Sequence, residues 1–174
     1  ANAKSRTYPL GYGPETLTAV GARFTPPVGS ALILGMTVGV DKAQLLFTAG
    51  GLPSATDPDV DDFDILTGNK AKLPALLSAG NPGSVKLTSL SATTGLFGGT
   101  FIVEDDDPRA AFAGKKLKRT ANFSGILTHD GVSPIGTGHF LLPELPQDAA
   151  PPLPATTPAT SAMLSGAVRM EKKP

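Results

Sequence analysis

Phe97-Gly98-Gly99-Thr100-Phe101, Phe123-Ser124-Gly125-Ile126-Leu127 and Leu164-Ser165-Gly166-Ala167-Val168 share one pattern: a glycine flanked two residues away on each side by an apolar residue. Gly138-His139-Phe140-Leu141-Leu142 keeps the glycine two residues before its large apolar side chain. Side chains alternate between the faces of a strand, so each glycine shares a face with the apolar residues around it. That face is the inner one, because Ser165, Arg169 and Glu171 fall on the other side of the last segment. Glycine inside a strand weakens it unless the vacancy is used. Either the strand bends there, as at a barrel corner, or an aromatic ring from a neighbouring strand covers the bare backbone. Repetition along the chain predicts a strongly curved sheet that rolls until its edges meet. The residues carrying this structural role are Phe97, Gly99, Phe101, Phe123, Gly125, Leu127, Gly138, Phe140, Leu164, Gly166 and Val168.

Upstream, alternation recurs at shorter length. Leu32, Leu34, Met36, Val38 and Val40 fall on one face of a predicted long strand, and Leu45 with Phe47, Phe63 with Ile65, and Val85 with Leu87 repeat the pattern. Gly50-Gly51, Pro58, Gly68-Asn69, Asn81-Pro82-Gly83 and Asp130-Gly131 are turn signals between these runs. Only Leu73 to Ala79 and Pro108 to Ala113 suit a helical turn or two. The expectation is an all-β chain of about eight to ten strands, mostly antiparallel, forming a barrel or a strongly rolled sandwich. Residues 1–14 read as an N-terminal segment or linker, and 15–174 as a single β-domain. Within it, 143–160 is a loop punctuated by Pro143, Pro146, Pro151, Pro152, Pro154 and Pro158, too rich in proline to pair as a central strand.

Composition agrees. Charged residues make up 17% of the 174, below the roughly 25% of an average domain, and 20 glycines with 17 prolines favour short strands over long helices. Lysine plus arginine balances aspartate plus glutamate at 15 each, so no basic excess asks for a nucleic-acid partner. Neutrality also leaves little charge repulsion against self-association. The absence of cysteine excludes disulfides and thiolate chemistry. The run Val28 to Val40 is interrupted by glycines and falls short of the about 20 apolar residues that a membrane span needs. The chain begins at Ala1 without methionine and reads as a piece of something longer.

Catalytic machinery is not expected, nor any cofactor. His129 beside Asp130 invites comparison with a Ser-His-Asp arrangement using Ser124 or Ser165, but no nucleophile-elbow motif accompanies it, and a hairpin position explains it better. His139, opposite in parity to Phe140, is expected to face solvent. The best metal candidate is calcium at Asp57, Asp59 and Asp61, since hard cations take clustered carboxylate oxygens. The EF-hand spacing fails there, with Asp62 where glycine is needed and Gly68 where the bidentate glutamate belongs, so a solvated acidic loop is the default. Glu104-Asp105-Asp106-Asp107 and Lys115-Lys116-Leu117-Lys118-Arg119 would neutralise each other across a hairpin. Otherwise Lys115, Lys116, Lys118 and Arg119 form a docking site for an anionic glycan or surface polymer.

Taken in order, Thr94-Gly95-Leu96-Phe97-Gly98-Gly99-Thr100-Phe101, the Phe123–Leu127 segment, Gly136-Thr137-Gly138-His139-Phe140-Leu141-Leu142-Pro143 and Leu164–Val168 resemble a β-rich module of large exported proteins of verrucomicrobial-type bacteria. The resemblance covers roughly residues 43 to 171 and is strongest after Gly83. It departs at His139, where an aromatic or small residue is commoner. It implies an extracellular or cell-surface location near the C-terminal end of a multidomain chain, and no assigned chemistry. The expected function is therefore a non-enzymatic structural or adhesive module whose partners are other domains of its polypeptide or surface polymers. A glycan- or small-ligand-binding barrel and a subunit of a homo-oligomeric assembly are the alternatives.

Overall fold

The computed structural model describes residues 22–53, 57–129, 134–150 and 153–174. The expected segment 1–14 and the Asp130-Gly131 turn lie outside them. Among the described residues, eight antiparallel strands form one nearly closed, barrel-shaped sheet. They are β1 (Ala43–Ala49), β2 (Val60–Leu66), β3 (Lys70–Lys72), β4 (Lys86–Leu90), β5 (Leu96–Asp106), β6 (Lys116–His129), β7 (Pro134–Pro143) and β8 (Met163–Lys172). Their order around the sheet is β3-β2-β1-β8-β7-β6-β5-β4, which makes β3 and β4 the two edges.

The glycine pattern becomes a pairing rule. Phe97 stands directly across from Gly125, Phe123 across from Gly99, and Phe140 across from Gly166. A β-carbon at Gly99 would collide first with the Lys86 carbonyl of β4 and lie 2.7 Å from the Phe123 ring, and one at Gly125 or Gly166 would fall against the Phe97 or Phe140 ring itself. Gly136 gives room on its other side to the same Phe97 ring, 2.9 Å from where its β-carbon would be. Each ring thus fills the space that a β-carbon on its neighbour would take, which is how a narrow barrel accommodates phenylalanines. Gly125 and Gly138 also face each other across β6 and β7, so the backbones approach without intervening side chains.

The rings meet in the middle. Phe47 of β1 lies 4.7 Å from Phe101 and 5.2 Å from Phe123 between centroids, and Phe140 meets Phe101 edge-on at 5.1 Å. Edge-to-face and tilted contacts of this kind favour the aromatic quadrupoles. Leu45, Val60, Phe63, Leu127, Leu142, Val168 and Met170 complete the core.

The predicted long strand over Leu32 to Val40 does not form. The chain makes one 3-10 turn at Ile33–Gly35, with Leu34 at φ 59° and Gly35 and Gly39 also in the left-handed region. Leu32, Ile33, Leu34 and Met36 are all buried, so neighbours in sequence point into the core together instead of alternating. Asn69, in the β2–β3 turn, accepts the Ile33 N–H at 2.7 Å and anchors this apolar cap over the end of the barrel where β1 begins. Of the two expected helical stretches, Pro108–Ala113 holds a 3-10 turn at Ala110–Phe112, whereas 73–79 forms turns without a helix.

Candidate functional site

At the opposite end of the barrel the charged hairpin of β5 and β6 sorts its residues by face. Glu104 pairs in register with Lys118 and Asp106 with Lys116. Their outward-pointing side chains form ion pairs at 3.5 Å and 2.8 Å. The hydrogen bond that Lys116 donates to the Asp106 carboxylate raises the Lys116 pKa. Lys115 sits exposed at the turn. Arg119 has the opposite parity and points inward, 3% exposed, with its Nε donating to Asp105 at 2.8 Å. Its two terminal nitrogens donate to the Pro143 carbonyl at 2.6 Å and the Gly51 carbonyl at 2.9 Å. The four cations expected to form one anion-docking row are therefore divided. Lys116 and Lys118 are matched by carboxylates, and Arg119 fastens β6 to β5, to the end of β7 and to the turn after β1. A guanidinium suits this task because its planar fork holds several acceptors at once.

A cleft of about 450 Å³ opens above Arg119, walled by Pro108, Leu145, Gln147 and Leu164 with Glu144 alongside. The Pro-rich stretch that supplies part of this wall is tethered by Asp148, whose carboxylate accepts the Ala110 N–H at 2.8 Å. Beside it, Asp107 accepts from Arg109 at 2.6 Å, a bond that holds the Asp107 carboxyl below its ordinary pKa. The Arg109 guanidinium lies 4.0 Å over the Phe112 ring.

Asp57, Asp59 and Asp61 do not converge as a calcium shell. Among the described residues no three acidic or histidine side chains lie together in a metal-binding group. Asp59 instead accepts the Phe47 N–H at 2.6 Å, taking the place of a ladder partner beyond the last β1–β2 register pair, Leu45 with Val60. Burial pushes its pKa up to about 7, and a hydrogen bond with Asp57 and the charges of Asp57 and Asp61 add to the effect against the opposing Phe47 bond. Asp57 is exposed in the loop before β2, and Asp61 is exposed within β2 itself, so the expected acidic loop is in part a strand.

The two histidines differ: His129 is remote from Ser124, whereas His139 stands directly across from it with no hydrogen bond between the two. His129 ends β6 with its ring centroid 6.4 Å from that of Phe24, and Ser124 lies roughly 17 Å back along the same strand at about 3.4 Å per residue. His139 is exposed on the outer face of β7, in register with Ser124 and Ala167. Among the described residues no helix is long and apolar enough to cross a membrane.

The fold and surfaces together define a nearly closed antiparallel barrel with a phenylalanine-filled interior. Compared with protein-family models, curated proteins and solved structures, the chain has no match.

Proposed function

We propose that this domain is a non-enzymatic structural or adhesive module of an exported bacterial multidomain protein, presented at the cell surface or outside the cell. The observation that carries the reading is the filled interior. Phe97, Phe123 and Phe140 interlock with glycines of adjacent strands, and Phe47 and Phe101 close the centre. The barrel spends its inner face on packing, which suits a rigid spacer or presenting scaffold. The ion-paired hairpin and the apolar cap over the end where β1 begins support the same reading, as does the order of the strand motifs noted above.

Antibodies raised against the domain should label intact cells of the source organism without permeabilisation, in a fraction that also contains the parent polypeptide. Labelling only after lysis would overturn the exported assignment. A glycan array on the purified domain separates adhesion from scaffolding. Saturable binding of one small sugar, lost when Gln147 above Arg119 is replaced by leucine, would replace the scaffold reading with a ligand-binding barrel.

A further inference from the structure

We propose that the seam between β3 and β4 accepts an extended acidic peptide of a partner protein, added to the sheet as a further strand. The inference stands apart from the scaffold reading, because a sheet edge can take a strand whatever else the domain does. Among the described residues β3 is paired only with β2, and β4 only with β5, so each presents an edge that no described strand covers. A slot of about 270 Å³ separates them, bounded by Lys70 and Ala71 on one side and by Leu87, Thr88 and Leu90 on the other. Exposed main-chain donors and acceptors of this kind are the template for strand addition.

Charge selects the occupant. Lys70 and Lys72 on β3 and Lys86 on β4 are exposed, and none has a carboxylate of a described residue within ion-pair reach. By contrast Lys42, Lys116, Lys118, Lys172 and Lys173 each reach one. Lysine on an edge repels indiscriminate strand pairing, but that repulsion turns into attraction for a strand carrying carboxylates. The two faces of the slot add a pattern. The lysines lie outward, while Ala71, Leu87 and Leu90 are half-buried and pack on the core. A strand alternates its side chains, so the fitting sequence alternates acidic and apolar residues, carboxylates outward to the lysines and apolar groups inward. A second copy of this chain is a poor donor, because its acidic strand β2 is already hydrogen-bonded on both sides.

The test is fluorescence anisotropy at low salt with a labelled peptide of alternating glutamate and valine. Saturable binding is expected. It should weaken about tenfold when Lys70, Lys72 and Lys86 are all changed to glutamine, because three exposed charges each contribute modestly. It should vanish for the same peptide with alternate backbone nitrogens methylated, and be absent for a lysine–valine peptide. Circular dichroism checks that the triple variant is folded, and the methylated peptide tests the proposal on the unaltered protein should it not be. No binding, or equal binding of the methylated peptide, would overturn strand addition. So would heparin oligosaccharide binding at the lysines in place of the peptide, or a dimer by light scattering that the triple variant abolishes.

Discussion

The half of the barrel built from β5 to β8 and the half built from β1 to β4 use different means to hold register. In the first, strands of ten to fourteen residues run without a register break, and ring-over-glycine pairs recur between β5 and β6 and between β7 and β8. A slip of one residue there would put a β-turned ring against solvent and a side chain where only bare backbone fits. In the second, β3 has three residues and β4 five, and register breaks at bulges between β1 and β2 and between β4 and β5. Steric interlock thus holds β5 to β6 and β7 to β8, and beyond it the sheet runs out through shorter strands to the lysine-lined seam. Arg119 joins the halves, reaching from β6 to the carbonyl of Gly51 after β1.

Breaking that joint has the largest expected effect. Arg119→Met leaves Asp105 buried without its cation, at a cost of about 3–5 kcal/mol. Urea unfolding should show the loss, and adding Asp105→Leu should recover part of it. An intermediate in which β5–β8 remain folded would show that the halves are separable; a single transition would show that they are not. Gly166→Ala comes next, at about 3 kcal/mol, the upper part of the overpacking range, because the new methyl group meets the Phe140 ring. The double variant with Phe140→Leu should be less destabilised than the two single changes added together. Strict additivity would remove the interlock from the account.

Asp59 sharpens the comparison on the short-strand side. Its folded pKa stands above the ordinary 3.8, at about 7, so ionisation is harder in the fold than in the unfolded chain. Its contribution therefore favours the fold least once both states are ionised. Stability from this group falls as pH rises from about 4 to about 7 and is level above. Asp59→Asn keeps an oxygen to accept the Phe47 N–H and removes the titration. The difference in melting temperature between variant and parent should grow across that window in the variant's favour. The smallest effect is expected for Lys118→Ala on the outer hairpin, below about 1 kcal/mol by the same unfolding measurement, since the pair with Glu104 is exposed.

Alternation made the long strands legible. Phe97, Gly99 and Phe101 share an inner face as expected, as do Phe123, Gly125 and Leu127. Arg119 carried the same signal. It has the parity of Phe123 and Gly125, but grouping it with Lys115, Lys116 and Lys118 by charge obscured its inward position. The stretch from Leu32 to Val40 misled for the opposite reason. Its apolar residues fit a strand, but Gly35, Gly39 and a left-handed Leu34 fold it into a cap in which Leu32, Ile33, Leu34 and Met36 enter the core while Val38 and Val40 are exposed.

The amino-acid order alone determined an all-β, strongly curved chain with glycines facing inward and a hairpin whose charges match, because these follow from spacing along single strands. Which ring covers which glycine, that Arg119 bridges β5, β7 and the turn after β1, and that three lysines flank an open seam were decided only by tertiary structure. Those relations depend on register between strands remote in sequence, and it is packing of the whole core that selects one register over its neighbours.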